Sequence, residues 1–199
     1  MNRSPVPALL LTGCVLALGP PVQPAAGATL PDCHRLPSRS IGTPGNGRLV
    51  DSVRFPAWGA DHFPWNFREQ RIGGSGRTRW GNCHVVRAVL RGLAAYHRRN
   101  PHAPRVAVGD MGRRHGGDID GHSTHENGRQ IDLYLPRRDR RLREPHTVAQ
   151  VNLKLSRELV RAMLHAGAYR VLIGPDIHIP TPPRVIRWPR HDDHLHAMF

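Results

Sequence analysis

Between residues 83 and 99, Val85, Val86, Val89, Leu90, Leu93 and Tyr96 recur at three- and four-residue steps, the period of one helix face. Asn100-Pro101 ends that run. A second helical pattern spans 148–166, with Val151, Leu155, Leu159 and Met163 four apart, Thr147 as its N-cap and Gly167 just past its end. Four short runs read as strands: Arg105-Val106-Ala107-Val108, Ile131-Asp132-Leu133-Tyr134-Leu135, Arg170-Val171-Leu172-Ile173 and His194-Leu195-His196-Ala197-Met198. Strands and helices in this order predict an α+β domain, a small antiparallel sheet flanked by helices. Upstream the periodicity fades. Residues 29–82 are rich in glycine, proline and arginine, with short extended pieces at 48–50 and 52–55 between turns such as Pro44-Gly45-Asn46-Gly47. They predict an irregular arm wrapped on a single domain, 29–199.

The first 28 residues have a different character. Arg3 precedes an apolar run from Ala8 to Leu18, Pro20-Pro21 breaks it, and Ala26-Gly27-Ala28 offers a small-residue cleavage site. The run falls well short of the ~20 residues a spanning helix needs. Residues 1–28 therefore read as an export signal, and no transmembrane anchor is expected after cleavage. Leu11-Thr12-Gly13-Cys14 also resembles a lipobox, although Val15 to Leu18 continue the apolar run beyond the cysteine. Cleavage after Ala28 leaves Cys33 and Cys83, and two cysteines in an exported chain predict a disulfide.

The chain has 199 residues, enough for one core, and a formal charge of +14. Of its 29 basic residues only Lys154 is a lysine. Such a field favours polyanionic partners (nucleic acid, anionic lipid or an acidic wall polymer) without choosing among them. The arginine cluster 137–143 reads as a solvated loop.

Histidine changes the picture. There are 14, and six fall in two windows: His115, His122 and His125, then His191, His194 and His196. They are interleaved with Asp132, Asp192 and Asp193. Alternation along the strand puts Ile131, Leu133 and Leu135 on one face and Asp132 on the other. His125 precedes the tight turn Asn127-Gly128, which returns it towards that strand. His194 and His196 share one face of the last strand, roughly 6–7 Å apart. Two imidazoles and one carboxylate make a three-ligand catalytic zinc site with an open position, whereas a structural zinc more typically draws on cysteines. No His-Glu-x-x-His helix is present.

At these residues the chain resembles a known family. His125-x6-Asp132 followed by His194-x-His196 is similar to the zinc signature of the LAS metallopeptidases. Four segments resemble, more specifically, the penicillin-insensitive murein endopeptidases: 40–47 (Ser-Ile-Gly-Thr-Pro-Gly-Asn-Gly); Gly109-Asp110-Met111-Gly112 with Gly116-Gly117; Gly121 to Asp132; and His191 to His196. Arg79-Trp80-Gly81 fits as well, and the likeness covers most of residues 38–199. The resemblance implies a LAS-like fold and one Zn2+ per chain, held by His125, Asp132 and His196. It makes His194 the base or transition-state stabiliser, with His122 and His191 holding water or substrate. Many relatives carry an aspartate where this chain has Gln130.

The implied reaction is hydrolysis of D-alanyl–diaminopimelyl crosslinks of peptidoglycan, in the periplasm or outside the cell, by zinc-activated water. No acyl-enzyme is needed, and arginines are suited to grip peptide carboxylates in bidentate pairs. Three other readings use the same residues: a DD-carboxypeptidase on this scaffold, a zinc-binding wall module without turnover, and a secreted metal-dependent nuclease. The nuclease reading rests on the basic charge and the His/Asp clusters but lacks an Asp-Arg-Gly-His type signature, so nucleic acid is not the expected partner.

Overall fold

A computed structural model of the chain describes residues 29–35, 37–74 and 76–199. The export-signal reading, with Cys14 and the alternative lipobox, lies outside the described residues. In chain order the elements are β1 (Arg39–Thr43), β2 (Asn46–Val50), β3 (Val53–Arg54), β4 (His62–Asn66), β5 (Arg71–Ile72), β6 (Trp80–Gly81), α1 (Cys83–Arg99), β7 (Val106–Val108) and β8 (Gln130–Tyr134). A 3-10 turn (Val148–Gln150), α2 (Leu153–His165), β9 (Arg170–Ile173), β10 (Val185–Arg187) and β11 (His194–Met198) complete the chain.

Seven strands form the main sheet in the order β10-β9-β11-β8-β7-β4-β5, and two further two-stranded sheets pair β1 with β2 and β3 with β6. The class is α+β as expected, but the main sheet is mixed. β9 runs parallel to β10 and β4 parallel to β7, while β8, β9 and β11 pair antiparallel at the centre. Both helices bury their apolar stripes in one core with Ile131, Leu133, Leu195, Ala197, Val171 and Ile173. Gly92 on α1 lets α2 approach closely, since a Cβ there would meet Met163 Cε at 2.5 Å. The alternate residues Asp132, Tyr134, His194 and His196 take the opposite side of these strands, as period-2 geometry requires.

Helix α1 starts and ends where the sequence places it. Asn82 Oδ1 accepts the His84 N–H, and Asn100 caps the last turn beside Arg98 and Arg99, which suit the negative helix end. α2 begins later than its pattern predicts. Thr147 precedes only the 3-10 turn and makes no side-chain cap bond; Val151 is extended, buried and bridged to Arg137, and Asn152 caps the true helix through Leu155 N–H. At the other end Gly167 (φ 112°) closes the helix as expected, with Ala168 N–H bonded to Met163 C=O and Gly167 N–H to Leu164 C=O.

Residues 29–82 are more regular than predicted. They contain six strands, and β4 enters the main sheet with Phe63 and Trp65 buried against Ala107 and Tyr134. The β1–β2 hairpin supports the turn that carries His125: Glu126 N–H donates to Pro44 C=O (2.9 Å), and Gly47 N–H to Glu126 Oε2 (2.9 Å). The Cys33–Cys83 disulfide is formed and ties the start of the described chain to the first turn of α1.

Candidate metal centre

β8 and β11 are register partners, so Asp132 stands directly opposite His196 and Tyr134 opposite His194. The antiparallel ladder thus brings a carboxylate and two imidazoles onto one patch of sheet. The turn after β7 adds Asp110, and the 121–128 segment folds His122 and His125 over the same patch. His125 takes a left-handed backbone (φ 75°), and Gln130 Oε1 accepts its N–H at 2.8 Å. Gln130, the departure noted in the sequence, thereby fixes the His125 backbone.

Asp132 is the hub. Its Oδ1 lies 2.9 Å from His196 Nδ1 and 3.9 Å from His194 Nε2; its Oδ2 lies 3.3 Å from His125 Nε2 and 3.8 Å from His122 Nδ1. His191 completes the group, its ring 4.7 Å from that of His194 and 5.9 Å from that of His196. His122, His125, Asp132, His191, His194 and His196 therefore all converge. His115, from the same sequence window as His122, is exposed and contributes only its carbonyl, which accepts from Leu49 N–H. Asp192 holds the adjoining loop through Asp176 N–H.

The residues fit a cation. His125 Nδ1 is 3.2 Å from the Met111 carbonyl, which can only accept, so Nδ1 carries the proton and Nε2 is bare. That bare nitrogen is buried, without a hydrogen-bond partner, and faces a carboxylate oxygen. Two acceptors in contact are repulsive unless a proton or a metal lies between them. His196 Nε2 is likewise buried and unpartnered. Around a tetrahedral zinc with ligand bonds near 2.0–2.1 Å, ligand atoms sit about 3.3 Å apart, matching the 3.3 Å between His125 Nε2 and Asp132 Oδ2; the 2.9 Å contact of His196 with Asp132 Oδ1 is made through its other nitrogen, Nδ1. His122, His125 and Asp132 offer ligand atoms all within 4.8 Å of one another, a group able to hold a metal ion.

Electrostatics differentiate the imidazoles. Burial alone would raise the Asp132 pKa, but the imidazoles of His125, His194 and His196 outweigh it and hold the carboxyl well below its usual range. The hydrogen bond to Asp110 raises His122. Burial lowers His191 and His196. Burial also opposes charge on His194, yet Asp132 and Asp193 raise it; Asp193 Oδ1 accepts from its Nδ1 at 2.6 Å.

Sequence reading gave no role to Asp110, Asp193, Thr78 or Tyr134. Thr78 donates to Asp110 Oδ1, and Asp110 Oδ2 meets His122 Nε2 at 3.1 Å. Asp193 was visible as the residue preceding His194; Thr78 had no local signal. The model of a family described as penicillin-insensitive murein endopeptidase matches residues 40–170. No curated protein matches the chain.

Proposed function

The chain belongs to the penicillin-insensitive murein endopeptidase family, a membership that makes it a hydrolase acting on peptidoglycan, and from that premise we propose that it is an exported zinc peptidase of the DD-endopeptidase type, cutting D-alanyl–diaminopimelyl crosslinks. One observation carries the zinc reading: two buried imidazoles with unpartnered Nε2 atoms flank the Asp132 carboxylate.

The ligands in this reading are His125, Asp132 and His196. His122 is the competing third ligand: its Nε2 donates to Asp110, which leaves Nδ1 on the Asp132 side, and it is less buried than His125 and His196. Bound zinc supplies Lewis-acid polarisation of a peptide carbonyl and makes water nucleophilic near neutral pH.

The chain's own residues handle the protons. Asp193 accepts from His194 Nδ1 and so fixes the tautomer, leaving Nε2 aimed at the Asp132 side to take a proton from the attacking water and return it to the leaving amine. His191 donates through Nδ1 to the Pro189 carbonyl, which leaves its Nε2 to accept from water or substrate. Tyr134, beside the His194 ring, is pushed far up by burial and stays a phenol, a donor for substrate oxygen.

An envelope location agrees with a peptidoglycan substrate, and no helix among the described residues is long and apolar enough to cross a membrane. The test is mass spectrometry of products released from purified peptidoglycan by zinc-loaded and chelated protein. Crosslinked dimers converted to monomers only with zinc is the expected outcome. Release of terminal D-alanine instead would assign a carboxypeptidase, and binding without release would assign a wall-binding module.

A further inference from the structure

A cavity of about 890 Å³ opens beside His122 and Asp110 and runs past Thr78, Arg79, Trp80 and Arg114. Arg79 is only 8% exposed, and its Nη1 is buried with no hydrogen-bond partner. Arg54 lies against it: a Cβ built on Gly76 would meet Arg54 Nη2 at 2.3 Å and Arg79 Nη2 at 2.5 Å, so the two guanidinium groups flank one point. Arg54 and Arg114 both lie over the Trp80 ring, 5.9 and 5.5 Å from its centroid.

Among the described residues no anion balances this charge. Asp120 at the rim serves Arg68 and Arg113, and Asp110 is engaged by Thr78 and His122. Among the described residues no carboxylate lies within ion-pair distance of Arg54, Arg79 or Arg114. Burial and the neighbouring Arg54 both lower the Arg79 pKa, the mark of a cation without its counter-ion. Removing a guanidinium from water without a partner is costly, and a fork-shaped donor is matched by a carboxylate.

We propose that Arg79 is a specificity residue that binds a carboxylate of the peptide substrate in the cavity beside His122, with Arg54 and Arg114 supplying the surrounding positive field. The assignment rests on the peptidase reading for the identity of the ligand as a peptidoglycan peptide. The backbone links this cavity to the metal centre: Thr78, next to Arg79, donates to Asp110, which binds His122. A carboxylate held there anchors the peptide next to the reacting group, so amidated stem peptides are discriminated against.

The test is calorimetric binding of a crosslinked muropeptide dimer and of the same dimer with its carboxylates converted to carboxamides. The protein is used with its metal chelated, because zinc itself attracts carboxylates. The wild type binds the free acid about tenfold to a hundredfold tighter than the amide. Arg79→Gln abolishes that preference, and Arg79→Lys, which keeps the charge but loses the fork, restores part of it. If the buried variants fail to fold, the exposed Arg114→Gln lowers the preference a few-fold. Equal binding of both dimers by the wild type overturns the proposal, as does a preference unchanged in Arg79→Gln or, in the fallback, in Arg114→Gln. Zinc-loaded hydrolysis run in parallel separates the two readings. Discrimination without hydrolysis retains the carboxylate site and rejects the peptidase; hydrolysis without discrimination does the reverse.

Discussion

Gln130 is 1% exposed, and its Oε1 accepts the N–H of His125, a residue held at φ 75°. A histidine in the left-handed region costs of order 1–3 kcal/mol and persists only where its surroundings over-determine it. Gln130→Met keeps the volume and removes the acceptor, leaving a buried N–H unpaired for a loss of about 1–3 kcal/mol. Gln130→Ala adds a cavity of about 50 Å³, and at ~24 cal/mol per Å³ this costs about 1 kcal/mol more. For a chain of this size each kcal/mol lowers Tm by about 2–4 °C, so the alanine variant melts some ~4–16 °C below wild type. The assay is thermal unfolding with metal chelated, paired with a zinc-competition titration in which loss of this support weakens affinity about 10–100-fold. A methionine variant that melts within ~1 °C of wild type and binds zinc equally well would refute the assignment of Gln130 as the brace of His125.

His125→Ala, Asp132→Ala and His196→Ala each lose stoichiometric zinc and hydrolysis while circular dichroism stays native; His122→Ala keeps the zinc, and metal analysis showing otherwise moves the ligand set to His122, His125 and Asp132. The Cys33–Cys83 bridge spans 50 residues of sequence. Its removal as the double serine variant destabilises by about 4 kcal/mol in the chain-entropy model, measured by urea unfolding at equal protein concentration. His97, whose Nε2 is buried and unpartnered, is kept below its ordinary pKa mainly by burial. The unfolded chain therefore takes up this proton first, and the contribution of His97 to stability declines as pH falls below about 6.5. Comparing wild type with His97→Leu by thermal melts from pH 7.5 to 5, the wild type loses relative ground towards acid; parallel curves would refute this.

What the sequence makes legible follows from how local each determinant is. α1 is framed by its own side chains, Asn82 before it and Asn100 after it, so periodicity and caps agree. The six histidines and Asp132 cluster in short windows with strand alternation around them, and five of the six do converge on Asp132; His115 shares a window but stays exposed, outside the site. β4 was not readable, because Pro64 sits at its centre and a five-residue run interrupted by proline does not signal a strand. The sheet tolerates it since the Pro64 carbonyl still accepts from Gly73, while β5 pairs only with Trp65 and Asn66. The start of α2 failed for a different reason. Val151 continues the apolar period, yet its place is taken by a bridge to Arg137, a contact made 14 residues away in the chain. Thr78 gains its role only when the approach to β6 and the loop after β7 lie side by side, a tertiary event without a sequence mark, whereas Asp110 stands in one of the segments that resemble the family.

The pairing of His196 with Asp132 across β11 and β8 has a consequence for how the protein can fail. In a ladder with a two-residue repeat, sliding β11 by one position would point Leu195 and Ala197 at the carboxylate and drive His194 and His196 into the apolar layer beneath the helices. A slipped form keeps His122, His125 and Asp132 but loses both histidines of β11. Core burial and ligand placement are one choice of strand alignment, so the folding step that seals the interior also assembles the chemistry, and a misaligned chain is both unstable and inert.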